Sequence, residues 1–194
     1  MAFANRYPGG TELEISMLFV DVRGSTRLAE EMTAADFSQL MNRFYKVATD
    51  VLIRTDAIID KFVGDQVIGL YLPIFTGPDH ARPALLAAQE LLAATGHGQE
   101  EGAWLPIGIG VHTGPVFVGT VSGAEDSVTD ITALGDNVNV AARLASMAAA
   151  GEALISEIAF AAGGAHLGEL ERRQLELKGR SEPVPARVLM VSPA

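Results

Sequence analysis

The chain has 194 residues, 48% of them hydrophobic, with 24 acidic and 14 basic side chains and a net charge of −10. That length and apolar content support one domain with a sizeable core and exclude a disordered chain. The acidic balance excludes a protein that coats nucleic acid, which needs a basic face to neutralise phosphates, but it leaves room for a local basic pocket.

There are no cysteines, hence no disulfides, thiolate metal sites or thiol nucleophiles, which fits a reducing compartment. The N-terminus MAFANRYPGG lacks the charged and apolar regions of a signal peptide. No apolar run approaches the ~20 residues of a membrane span. A soluble, cytoplasmic domain is the expectation.

In chain order, residues 1–12 read as a short tether ending in Pro8-Gly9-Gly10, and residues 13–194 as the domain. LEISMLFVDV, 13–22, reads as a strand buried towards its end. Ser25 and Thr26 start a helical stretch in which Leu28, Met32, Phe37, Leu40, Met41, Phe44, Val47 and Val51 recur at helical spacing. Residues 57–72 read as a hairpin turning at Gly64-Asp65. A second, Ala/Leu-rich helix lies within 77–98, with Pro83 in its first turns, where proline is tolerated. Residues 105–121 read as a strand pair turning at Thr113-Gly114-Pro115, and VTDIT as a short strand. A third helix starts near Gly135-Asp136 and ends at Gly151. A strand with a short helix follows, then a hairpin around Gly179 to Pro185. The order β-α-β-β-α-β followed by αβ and ββ units implies an α+β sandwich. Its core is ferredoxin-like, an antiparallel sheet with helices on one face.

Several residues carry chemistry in this frame. Asp21 ends the first strand in FVDVRGST, directly after Leu18-Phe19-Val20, where a carboxylate is costly to bury unless paired or metal-bound. Alone it reads as a helix cap, and Asp65 alone as a turn residue. Together, at neighbouring strand ends of a βαββ unit, they can hold hard divalent cations such as Mg²⁺. Gly24, Ser25 and Thr26 lead into a helix, an arrangement that is an ordinary cap by itself and also one that cradles phosphate. Asn139 and Arg143 stand four residues apart on one helical face. They read either as a solvated stripe or as a pair that orients a reacting group and stabilises growing phosphate charge.

These segments together resemble a class III nucleotide cyclase catalytic domain. FVDVRGST, DKFVGDQVIGLY, GIGVHTGPVFVGTV, VTDITALGDNVNVAARL and LELKGRSEPVPARVLMV stand in the family's order across roughly residues 14–191. The resemblance implies that Asp21 and Asp65 bind two divalent cations, Mg²⁺ or Mn²⁺, with the Val22 carbonyl as an added ligand. It also implies that the backbone of Val22, Arg23, Gly24, Ser25 and Thr26 binds triphosphate. Lys61 and Thr132 match purine-reading positions, and Thr132 is similar to the subset that includes the bicarbonate-responsive type. Asn139 and Arg143 match the transition-state pair, and Lys178 a phosphate-contacting lysine.

The implied activity is adenylate cyclase, converting ATP to 3′,5′-cyclic AMP and pyrophosphate in a homodimer with two shared active sites. Guanylate cyclase, with GTP as substrate, and a weakly active regulatory or dimerisation domain are the alternatives. Three positions depart from the commonest family pattern. Ser25 stands where Phe is frequent, Gly108 where many members carry a phosphate-contacting Arg, and Thr132 where many carry Asp. A palm-type polymerase or diguanylate cyclase shares a two-carboxylate core, but the acidic charge disfavours the polymerase, and the hairpin FVGDQV in place of GG(D/E)EF disfavours the diguanylate cyclase. His112 reads as hydrogen-bonded support, and Trp104 as packing at a strand entrance.

Overall fold

A computed structural model of the chain describes Tyr7, residues 9–122 and residues 129–191. Strand β1, Thr11–Val22, is its spine. Ile15 to Val20 are all buried because alternate side chains feed different cores. Leu18, Val20 and Val22 join one apolar cluster, while Ile15, Met17 and Phe19 join the one on the opposite face. β1 begins at Thr11, so its first two residues lie in the stretch expected as tether, and they pair with Val118 and Phe117. Residues 1–6 and 8 of that stretch lie outside the described residues.

After β1 come helices α1 (Ser25–Glu31) and α2 (Ala34–Arg54), then hairpin strands β2 (Ile58–Val63) and β3 (Gln66–Tyr71). The helical stretch expected from Ser25 onward is broken at Met32, which is extended. Thr33 then caps α2, its hydroxyl accepting from the Asp36 N–H at 3.1 Å. The apolar spacing runs through the break because both helices face the same core. A one-turn helix α3, Pro73–Thr76, was not expected. Helix α4, Ala81–Ala94, carries Pro83 in its first turn.

Strand β4, Ile107–Ser122, is one continuous strand, and the expected turn at Thr113-Gly114-Pro115 does not exist. β1 pairs along it from Ile107 to Val118. Two facts explain these turn-like residues in a strand. On its other edge β4 pairs with β6 at 109–111 and with β5 at 117–122, so Pro115 sits where that edge has no strand partner to lose. Gly114 is a close approach: a Cβ there would lie 2.8 Å from the Asn137 side chain, whose amide donates to the Pro115 carbonyl at 2.7 Å.

Strand β5 (Thr129–Leu134), helix α5 (Asp136–Met147), strand β6 (Ala153–Ser156), helix α6 (Glu157–Gly163), a 3₁₀ turn at Gly164–Leu167, and strands β7 (Glu171–Leu175) and β8 (Val184–Leu189) complete the fold. The sheet order is β2-β3-β1-β4-β6-β8-β7, with β5 pairing β4, and among the described residues only the β4–β6 pair is parallel. Helices α2, α4 and α6 cover one face, as the ferredoxin-like order implies. Helix α5 covers the other, where its Ala141 and Ala145 pack on β1, β3 and β4. Among the described residues no helix is long and apolar enough to cross a membrane.

Candidate active site

Asp21 is the first residue past the buried run of β1, facing Gln66 on β3 and Gly108 on β4 across the ladder. Asp65 sits in the β2–β3 turn immediately before Gln66, and the Val22 N–H donates to its carbonyl at 3.2 Å. That bond fixes the turn to the end of β1 and brings the two carboxylates together, as the sequence reading expects. Burial raises the pKa of Asp21. The Arg23 guanidinium opposes this, and the negative charge of Asp65 adds to it. The field of one carboxylate therefore reaches the other.

The linking turn is built for this placement. Gly24 has φ 69° and ψ 26°, the left-handed region, with no atom near its Cβ direction, so conformation and not space selects glycine. The Ser25 hydroxyl donates to the Asp65 carboxylate. Thr26 is exposed. Arg23 does more than the backbone role expected of it, since its guanidinium is ion-paired with Asp21. Helices α1 and α2 diverge beside this turn and leave a cavity of about 630 Å³ whose lining includes Ser25, Thr26, Phe37, Met41, Tyr45 and Asp65.

Lys61 and Thr132 also meet. The Lys61 ammonium donates to the Thr132 hydroxyl at 3.5 Å, across strands β2 and β5. Lys61 is exposed while Thr132 is buried, held by its pairing opposite Gly119 on β4.

Asn139 and Arg143 lie on α5, the first exposed and the second half-buried. Arg143 reaches the β7–β8 loop, where a Cβ on Gly179 would lie 3.5 Å from its guanidinium, next to the exposed Lys178. Arg180 of that loop pairs with Asp136 at the start of α5. Helix α5 rests directly on β4, because a Cβ on Gly110 would come within 2.3 Å of the Ala145 nitrogen. His112 is structural support, with Nδ1 2.8 Å from the Ser156 hydroxyl and Nε2 2.9 Å from Asn137 Oδ1. Trp104 donates to the Ala94 carbonyl at 2.9 Å and carries Arg43 over its ring.

The Asp21 and Asp65 pair fits a hard divalent cation. Both donors are carboxylate oxygens close enough to repel, which a cation between them relieves. Among the described residues no group of three or more His, Cys, Asp or Glu side chains could hold a metal. The set therefore suits a cation that fills its remaining positions with backbone, water and substrate oxygens, as Mg²⁺ does.

Comparison with known proteins decides the family. The adenylate and guanylate cyclase catalytic domain matches residues 10–187. The chain belongs to this family. Two solved cyclases share the fold over nearly their whole length. The guanylyl cyclase Cya2 has a TM-score of 0.83 and 26% identity, covering 96% of this chain and 95% of that one. The adenylyl cyclase CyaB from P. aeruginosa has a TM-score of 0.78 and 28% identity, covering 94% and 96%. The uncharacterized protein Rv1320c of Mycobacterium tuberculosis is 32% identical over 183 residues, or 91% of this chain and 31% of its own length. This cyclase domain thus spans about a third of the length of the curated mycobacterial relatives it matches. Membership makes it a class III nucleotide cyclase catalytic domain, of a family that generally uses divalent metal ions.

Proposed function

We propose that this domain is an adenylate cyclase, converting ATP to 3′,5′-cyclic AMP and pyrophosphate at two sites shared between the subunits of a homodimer. The observation that carries the choice of ATP is the Lys61–Thr132 pair. Adenine presents one ring-nitrogen acceptor and one amino donor on its reading edge, and an ammonium with a hydroxyl answers both. Guanine presents one acceptor and two donors. The ammonium has no acceptor capacity, so one guanine donor is left unpaired unless a carboxylate is present.

In this reading the ribose 3′-hydroxyl attacks the α-phosphate in line and pyrophosphate leaves. No protein nucleophile takes part, and catalysis is positioning and charge stabilisation. Asn139 orients the ribose, and the Arg143 guanidinium meets charge developing on the reacting phosphate. Lys178, beside Arg143, and the backbone of residues 22–26 hold the outer phosphates. Asp21, Asp65 and the Val22 carbonyl would hold two cations, Mg²⁺ or Mn²⁺, which supply Lewis acidity at the phosphate and lower the pKa of the attacking hydroxyl.

GTP is the second reading, favoured by the likeness to Cya2, itself described as a guanylyl cyclase. Turnover of ATP and GTP by purified protein, with each metal and across a range of protein concentrations, separates the two. Cyclic AMP should dominate, with specific activity rising with concentration as dimers form. A higher kcat/KM for GTP overturns the substrate assignment. A folded, nucleotide-binding dimer with no product supports a regulatory domain instead.

A further inference from the structure

Arg23 is engaged on three sides. Its guanidinium pairs with the Asp21 carboxylate, its Nε donates to the Asp21 carbonyl at 3.4 Å, and its Nη1 donates to the Ser146 carbonyl at 3.0 Å. Ser146 lies in the last turn of α5, where carbonyls have no partner within the helix and a cation is favoured. The same side chain fills the space over Gly108. A Cβ there would lie 3.1 Å from Arg23 Nε and 2.9 Å from the Ala148 carbonyl, so position 108 has no room for a long side chain.

We propose that Arg23 is a positioning residue that competes with divalent cations for the Asp21 carboxylate while tying that carboxylate to the end of α5. This rests on the reading of Asp21 as a cation ligand. A cation that takes the carboxylate frees part of the guanidinium, which stays anchored on the Ser146 carbonyl beside the phosphate-binding turn. A planar fork of donors in that place suits phosphate oxygens. Helix α5 carries Asn139 and Arg143, so the exchange at Asp21 is felt by the helix that bears the second set of site residues.

The test reads metal binding and not turnover. Mn²⁺ affinity of the full chain without nucleotide is measured by electron paramagnetic resonance for wild type, Arg23→Gln, Arg23→Lys and Asp21→Asn, with circular dichroism as the fold check. Removing the competing positive charge should tighten Mn²⁺ about five- to tenfold in Arg23→Gln, a modest factor because the pair is partly exposed. Arg23→Lys keeps the charge and should stay near wild type. A purely structural role predicts the opposite sign, since a loosened site binds more weakly. Equal or weaker binding by Arg23→Gln, with Asp21→Asn weakened, overturns this inference alone. Wild-type binding by Asp21→Asn overturns it together with the cation-site reading. Should Arg23→Gln not fold, Arg23→Met, neutral and of similar length, takes its place with the same expected gain.

Discussion

The contact between α5 and β4 offers the sharpest test of how packing sets the site. In Gly110→Ala the new methyl would lie 2.3 Å from the Ala145 nitrogen, 2.4 Å from the Ala141 carbonyl oxygen and 2.9 Å from Leu144 Cβ. Ordinary contact for a Cβ begins at 3.4 Å, so the helix must retreat by about 1 Å from the strand. The first two atoms are helix backbone, so no side-chain rotation relieves the clash. Overpacking of this kind costs about 1–3 kcal/mol, or about 2–4 °C of Tm per kcal/mol for a chain of this size. With the roles proposed for Asn139 and Arg143, the functional cost is larger. Asn139 and Arg143 move with the helix, and a 1 Å misplacement of reacting groups can cost about 10²-fold in rate. The assay is cyclic nucleotide formation beside thermal unfolding, at a temperature where the variant is fully folded. A variant with wild-type kcat and Tm would refute both the packing and the role given to α5.

Two further outcomes are expected. Asp65→Ala and Arg143→Ala should each be inactive alone. Mixed, they should recover roughly a quarter of wild-type activity, because half of randomly formed dimers are hybrids with one intact site; mixed dimers that form and stay dead would refute shared sites. Stability should also fall in mild acid. Burial lowers the pKa of His112, His97 and His80, for His112 against the Asn137 hydrogen bond and the Asp136 charge, and for His80 against the charges of Glu14 and Asp79. The unfolded chain therefore takes up protons below about pH 6.5 that the folded chain refuses. The stabilisation is complete above that pH and drains away as pH falls, so Tm should drop between about pH 7.5 and 5.5. A flat profile would show that these rings titrate freely in the fold.

Much of this architecture is legible in the sequence, and its blind spots have physical causes. The carboxylates can be located because each ends an apolar run, so a strand-end Asp and a turn Asp mark their own positions. Thr33-x-x-Asp36 is a capping signature, but the apolar repeat continues across it and hides the break between α1 and α2. The turn composition of Thr113-Gly114-Pro115 misleads because those residues answer tertiary demands. The glycine makes room for Asn137, and the proline occupies a stretch of β4 with no strand on that side. The third helix is readable as a helix, but its place on the opposite face depends on its close approach at Gly110 and the packing of Ala141 and Ala145, which no local pattern reports. The bond from Arg23 to the Ser146 carbonyl spans 123 positions. No spacing rule reports on a contact so distant, least of all one made to backbone.

The register of β5 on β4 has an evolutionary corollary. Thr132 meets Lys61 only because Ile131, Thr132 and Ala133 oppose Thr120, Gly119 and Val118. If Thr132 reads the base as proposed, exchanging the side chain at 132 retunes which base is accepted while every backbone bond stays in place. Gaining or losing a single residue between Thr129 and Thr132 would turn that position to the other side of the sheet. Base preference in this lineage should therefore drift by point substitution at fixed length, with insertions and deletions excluded from this strand.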